Sequence, residues 1–324
     1  MSGVPVADDP ALPTLAAALD PGVVGPALAS LPALDGAGPL VAIRVVRHKP
    51  GRRCVVAYDL ADYGRVYGKL RRHRSGASAY RLLQALRAAG LDGAGHGIAV
   101  PEPVGHVREL RLWLQREAPG REATELVEGA VGLRVAGRVA EAADELHRAG
   151  VPASRRHGVA DELLILRERL CDVAVEEPSL GPRLGRLYVA CERAGAGLVG
   201  HPERGIHRDF YADQVLVAGD RLTLVDFDLY CIGDPALDIG NYLGHVTELA
   251  LRRTGSAAAY APVEAELLGS FARRAGGDAA RRARAWAALT VARHVFLSTR
   301  IAGRGHTTLP LIELAERRLA EAAA

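Results

Sequence analysis

Between residues 207 and 228 the chain reads His207-Arg208-Asp209-Phe210-Tyr211-Ala212-Asp213-Gln214, then two short apolar runs, then Asp226-Phe227-Asp228. The runs, 215–217 and 222–225, are separated by Ala218-Gly219-Asp220-Arg221, in which Gly219-Asp220 is a hairpin turn signal. Antiparallel pairing of the runs puts Gln214 at the start of one strand and Asp226 at the end of its partner, with their side-chain oxygens side by side. An Asp five residues before such an oxygen, with a second Asp on the neighbouring strand, is an arrangement that phosphoryl transfer uses. The first carboxylate receives or orients the proton of an acceptor hydroxyl, and the other two oxygens hold magnesium. The usual template is H-R-D-x-x-x-x-N followed by D-F-G. Gln214 here stands for Asn and Asp228 for Gly. Gln keeps the amide oxygen on an arm one methylene longer.

Immediately downstream, Gly233-Asp234-Pro235-Ala236-Leu237-Asp238-Ile239-Gly240-Asn241 reads as a loop entering a helix, with Asp234 as N-cap and Pro235 at the first helical position. Across 207–241 the chain resembles the aminoglycoside phosphotransferase and choline kinase-like family of small-molecule kinases. Maltose-kinase-like proteins are similar in carrying Gln at the place of Gln214. The resemblance implies that Asp238 braces the catalytic loop through backbone hydrogen bonds, that His207 supports the loop, and that Asp228 is an auxiliary metal or water ligand. It leaves Arg208 without a role. Absence of an A-P-E segment and the early arrival of Gly233-Asp234-Pro235 leave no room for the long activation loop of a protein kinase.

The amino-terminal third reads as a meander. Strands at 41–46, 54–60 and 65–70 are joined by Lys49-Pro50-Gly51 and Ala61-Asp62-Tyr63-Gly64, both strong turn signals. A helix over 77–89 ends at Gly90, and strands at 104–107 and 111–115 follow. Five strands with one helix inserted after the third is the order of a kinase N-lobe. Lys69 then falls near the end of the third strand, where kinase-like folds hold nucleotide phosphates. Of 41 basic residues only Lys49 and Lys69 are lysine. A lysine kept in an arginine-biased chain points to a need for a compact point charge rather than a planar fork. Two departures stand out. The helix after Lys69 has no acid between Ser75 and Leu91 to orient it, which leaves Gln84 as a neutral acceptor or an acid from elsewhere in the chain. In place of a glycine-rich loop the first hairpin carries Arg47-His48-Lys49-Pro50-Gly51-Arg52-Arg53, either a phosphate cover or an arginine-rich surface turn. Trp113–Gly120 is expected to link the lobes, and in the family backbone groups of this link meet adenine.

A length of 324 residues is enough for two lobes with real cores, and a net charge of +3 is too small to make nucleic acid or a membrane the main partner. No apolar stretch approaches the roughly 20 residues that span a bilayer. The first residues lack the basic and apolar regions of a signal peptide. Cys54, Cys171, Cys191 and Cys231 form no C-x-x-C pair, so neither a zinc site nor a disulfide framework is indicated, and a reducing cytoplasm fits.

Helical spacing covers 131–147, 162–175 and 184–194. Helix then fills 242–322, with breaks near Thr254-Gly255-Ser256, Gly276-Gly277-Asp278 and Gly303-Arg304-Gly305-His306. One or two short helices, 12–19 and 24–31, are expected at the start, separated by Asp20-Pro21-Gly22. His147 reads as a packing residue. The expected fold is therefore α+β and bilobal, protein-kinase-like. Its small N-lobe (1–118) has a five-stranded antiparallel sheet and one helix, and its larger, mostly helical C-lobe (119–324) carries the catalytic loop, metal site and acceptor pocket. The expected function is transfer of the ATP γ-phosphate to a hydroxyl of a small molecule, with ATP and Mg2+ as cofactors. Asp209 is the catalytic residue, Gln214 and Asp226 are the metal ligands, and Lys69 is the phosphate cation. The missing helix acid and glycine loop keep open a nucleotide-binding pseudokinase acting as an interaction module. Aminoglycoside, amino sugar, sugar and amino alcohol all remain as acceptors. A polycationic one needs an acidic pocket, for which Glu248, Glu264 and Glu266 are the candidates.

Overall fold

A computed structural model describes residues 9–72 and 77–323. The start of the chain and part of the basic run Arg71-Arg72-His73-Arg74 lie outside the described residues, as does Ser75 ahead of the first long helix. The chain divides into two compact units, one ending at Pro119 and the other beginning at Gly120.

In the first unit, α1 (Leu15–Leu19) and α2 (Pro21–Ala29) precede β1 (Leu40–Lys49), β2 (Arg53–Leu60) and β3 (Gly64–Arg71). Asp20-Pro21-Gly22 separates α1 from α2 as its composition suggests, and its last two residues already form the first turn of α2. The Asp20 carboxylate accepts from Gly22 N at 2.8 Å and Pro21 takes the first turn, where a missing N–H costs nothing. Then come α3 (Ala77–Ala88), the two-residue β4 (Ile98–Ala99), β5 (Pro103–Val107) and β6 (Leu112–Arg116). Gly90, at φ +103°, closes α3, with Leu91 N reaching back to Leu86 O at 3.1 Å. The sheet order is β1-β2-β3-β6-β5, all antiparallel. Its inner face and the two leading helices share one core, in which Leu15, Val24 and Leu28 join Val56, Tyr58, Val66 and Leu70. The buried Tyr58 hydroxyl donates to Ala18 O at 3.0 Å.

The second unit begins with β7 (Arg121–Glu122) and three helices, α4 (Gly129–Arg148), α5 (Val159–Glu176) and α6 (Gly181–Ala196). Four short strands follow: β8 (Arg204–Ile206), β9 (Val215–Ala218), β10 (Arg221–Leu224) and β11 (Cys231–Gly233). The unit ends with α7 (Pro235–Thr254), α8 (Ala261–Ala275), α9 (Ala279–Arg300) and α10 (Thr308–Ala323). The predicted breaks at 254–256, 276–278 and 303–306 all separate helices. β9 and β10 form the expected hairpin, tightened to a two-residue Gly219-Asp220 turn with Gly219 at φ +60°. β7 adds to it as a third strand, which the sequence pattern had not suggested. α7 crosses α9 at very short range. A Cβ on Gly240 would come 2.3 Å from Trp286 Cβ and 2.8 Å from Ala283 O, so only glycine permits this approach. No described helix is long and apolar enough to cross a membrane.

Candidate active site

Residues 207–230 form one irregular excursion whose two ends are zipped together. β8 enters it and β11 leaves it, with Ile206 paired to Cys231, Gly205 to Ile232 and Arg204 to Gly233. Backbone at two points of the excursion is left-handed without glycine: Arg208 at φ +69° and Asp226 at φ +62°. Such residues carry a cost on the order of 1–3 kcal/mol each and persist only where the surroundings over-determine them.

At Arg208 the over-determination comes from Asp238. This carboxylate, fully buried on the first turn of α7, accepts from His207 N at 2.9 Å and from Arg208 N at 2.7 Å. His147 Nε2 of α4 meets the same carboxylate at 2.8 Å. The structure thus bears out both readings, Asp238 as the brace and His147 as a packing residue. One turn along α7, Asn241 Nδ2 donates to Phe210 O at 3.0 Å, and its Oδ1 accepts from Arg293 of α9. The His207 ring ties the loop to the strand that leads to Asp226, its Nε2 lying 2.8 Å from Val225 O. A carbonyl can only accept, so Nε2 carries the proton of this bond. Asp234 is the expected N-cap, accepting from Ala236 N at 2.9 Å, and it also takes the Trp286 Nε1–H at 2.9 Å.

Behind the loop runs a buried polar chain with no sequence signal. Arg293 Nη1 donates to Glu162 Oε1 at 3.1 Å, and Glu162 Oε2 lies 3.1 Å from His157 Nε2. Burial pushes the Glu162 carboxyl up, but Arg293, His157 and the nearby charge of Arg208 outweigh it and bring the pKa down to about 2. Arg208 thereby gains a role: its charge faces the buried acid behind the loop.

The predicted site residues of this unit fall on the excursion. Asp209 is half-buried and makes no hydrogen bond or ion pair among the described residues. Val225 N donates to Gln214 O at 2.9 Å, so Gln214 stands opposite Val225 and one position from Asp226. The Gln214 amide donates through Nε2 to the Tyr211 hydroxyl at 2.9 Å, which turns its carbonyl oxygen to the other side. Tyr211 was missed by motif reading, although it lies between the two residues that matter. Its phenol pKa is raised, by burial first and then by the charge of Asp209, with Asp213 and Asp226 adding. One phenol therefore sits within electrostatic reach of both predicted reactive carboxylates while it orients the amide. Its ring stacks on His245 at 4.4 Å. After Asp226 the chain is held by Arg155, whose Nη2 donates to Asp228 O at 2.7 Å and Tyr230 O at 2.9 Å.

Lys69 belongs to the other unit. It pairs with Val55 and Trp113 across β3, on the face opposite the buried Val66, Gly68 and Leu70, and its Nζ lies 5.2 Å from the Trp113 ring centroid. Trp113 itself is core. Gln84, expected as a neutral acceptor, is exposed and donates to the Tyr80 hydroxyl at 3.1 Å. The Lys49-Pro50-Gly51 turn is seated on Asp9, whose Oδ2 accepts from Gly51 N at 2.9 Å and meets His48 Nε2 at 2.9 Å. The three carboxylates considered for an acidic pocket are all engaged. Glu248 accepts from Arg252 at 2.9 Å and Arg304 at 3.4 Å, Glu264 from Thr247 at 2.6 Å and Arg318 at 3.1 Å, and Glu266 from Arg273 at 3.3 Å.

A five-stranded antiparallel sheet with one inserted helix, followed by a mostly helical unit with the looped acids, defines the class: a protein-kinase-like phosphotransferase fold. The match to the phosphotransferase enzyme family (APH) runs over residues 56–287, and the chain belongs to that family. It is thus an enzyme of the small-molecule kinase class, which bears out the resemblance drawn from 207–241. Among solved structures it is similar to a choline/ethanolamine kinase family protein from Mesorhizobium loti (TM-score 0.57, 15% identity, 91% of this chain and 96% of that one). A glucosamine kinase aligns with TM-score 0.61 and 19% identity over 92% of this chain and 82% of its own. A thermostable mutant of an aminoglycoside phosphotransferase, in ternary complex with ADP and hygromycin B, aligns with TM-score 0.59 and 14% identity over 90% and 97%. These likenesses are of fold. No curated protein matches the sequence significantly.

Proposed function

We propose that the protein transfers the γ-phosphate of ATP to a hydroxyl of a small molecule that is not a polycation. Asp209 receives or orients the hydroxyl proton, since a half-buried carboxylate with no bond of its own is available to an incoming O–H. Lys69 holds nucleotide phosphates as a point charge.

The donor set suits magnesium. Asp226 offers a carboxylate, and Gln214 offers a carbonyl oxygen because its amide nitrogen is committed to Tyr211. Among the described residues no group of three or more His, Cys, Asp or Glu could cage a metal. Magnesium fits this sparse set, since it is commonly bound by one or two protein oxygens with the rest from phosphates and water. When bound it would neutralise charge on the nucleotide phosphates.

Pairing of Glu248, Glu264 and Glu266 with arginines is the observation that carries the choice of acceptor. A polycation entering among them would have to displace these cations, whereas a sugar, a mono-amino sugar or an amino alcohol would not. The test is ADP release with Mg-ATP across an acceptor panel that contains glucose, maltose, glucosamine, choline and hygromycin B. A neutral or singly charged acceptor is expected to be turned over, and chelation of magnesium to abolish the signal. Turnover of hygromycin B alone would refute the acceptor assignment.

A further inference from the structure

Behind the catalytic loop the second unit carries a solvent-open cleft of about 470 Å³, walled by α4, the residues that lead into β8, the end of α8 and the start of α9. Four guanidinium groups line it, Arg148, Arg204, Arg274 and Arg282, against the carboxylates of Asp144 and Asp278. Two positive charges are left in excess, and one remains if Asp234, just beneath, is included. Asp144 is shared between Arg148 at 3.2 Å and Arg274 at 3.8 Å, so neither arginine has an anion to itself. Arg282 is about nine-tenths buried. It bonds Asp278 at 3.1 Å, but its Nε makes no hydrogen bond and lies 3.5 Å from Asp234. His147 and His201 complete the polar lining. Arg282 thus has carboxylates on two sides, while Arg148 and Arg274 share a single one, so the surplus of positive charge falls on the open side of the cleft.

We propose that this cleft is a second ligand site, distinct from the phosphoryl-transfer site, and that it binds a phosphomonoester dianion. Arginine forks match phosphate oxygens in pairs, and several guanidinium groups around one cleft can share the three terminal oxygens of a phosphomonoester, where a carboxylate offers only two. The volume accommodates a phosphate with a small organic group attached. Location gives the site its interest. His147 lines the cleft with one edge and meets Asp238 with Nε2 at 2.8 Å, and Asp238 holds the His207 and Arg208 amides. A bound anion therefore stands one side chain away from the carboxylate that shapes the catalytic loop.

The probes are inorganic phosphate and glucose 6-phosphate, titrated calorimetrically into the full chain at constant ionic strength. Three proteins are compared: wild type, the Arg148→Ala/Arg204→Ala double variant, and Lys69→Ala. Arg148 and Arg204 are exposed, so their loss should leave the melting temperature near that of wild type. Glucose 6-phosphate is expected to bind wild type and Lys69→Ala alike, and the double variant at least about tenfold more weakly. Equal binding by the double variant, loss of binding in Lys69→Ala, or no binding to wild type would overturn the site. Binding of inorganic phosphate but not of glucose 6-phosphate would overturn the monoester assignment.

Discussion

The catalytic loop at 207–214 and the start of α7 at 234–241 are both rich in polar side chains, but they use them in opposite ways. The loop is irregular, includes a left-handed Arg208, and leaves Asp209 without a bond. The helix start is regular and buried, and its Asp234, Asp238 and Asn241 are all engaged. An aspartate's role here is set by its partners. Asp238, with three hydrogen bonds, is scaffold, and Asp209, with none, is available for chemistry. The strain of the loop is stored in the helix behind it, which in turn is pinned to α9 through Gly240.

Substitutions can break this contrast, and the largest effect is expected where chemistry resides. Asp209→Asn should keep nucleotide binding and lower kcat by about 10²–10⁴-fold, with little change in melting temperature. Asp238→Ala should do the reverse: by unpairing a buried histidine and two amides it should cost about 3–5 kcal/mol of stability in denaturant titration, with activity lost as a consequence. Lys69→Arg, on the other unit, should weaken Mg-ATP binding by roughly 10–100-fold without destabilising the fold, and equal affinity would reduce Lys69 to a surface lysine.

A pH-dependent effect is expected at Glu162. Its carboxyl lies at about 2 in the folded protein against 4.5 ordinarily. A depressed acid contributes stability that is present above about pH 4.5 and disappears as pH falls towards 2. Glu162→Gln should therefore cost on the order of 3 kcal/mol at neutral pH, and its unfolding curve should converge with that of wild type across that acid window. A constant gap down to pH 2 would show that the Arg293 pair is not what depresses the acid.

Much of this was legible locally. Strand alternation, glycine-marked turns and helical spacing gave the element order of both units, because those signals are short-range. The candidate triad could be proposed from sequence because Asp209, Gln214 and Asp226 lie within eighteen positions of one another. Asp238 and Asn241 stand three apart on one helix face, a spacing that could have flagged Asn241 as a second brace. The Asn241–Arg293–Glu162–His157 chain was not legible, since its members come from three helices and the segment before one of them, and Glu162 and Arg293 are 131 residues apart. Asp20-Pro21-Gly22 was legible as the boundary between the two leading helices, and the same residues cap and open the second of them. The partner of Lys69 could not be read from the following helix, because helix periodicity gives a face but not what that face meets; the Gln84 amide nitrogen there donates to Tyr80.

The central claim is that a hydroxyl of a small molecule receives the phosphate with Asp209 acting on its proton. The most direct measurement is a single-turnover reaction with γ-labelled Mg-ATP and the best acceptor of the panel, run in parallel on wild type and Asp209→Asn, with nucleotide affinity measured for both. Label should pass to the acceptor as a phosphomonoester in wild type, and transfer should be at least about a hundredfold slower in the variant at equal affinity. Near-normal transfer by Asp209→Asn, or a wild type that binds ATP and transfers label to no acceptor, would contradict the account.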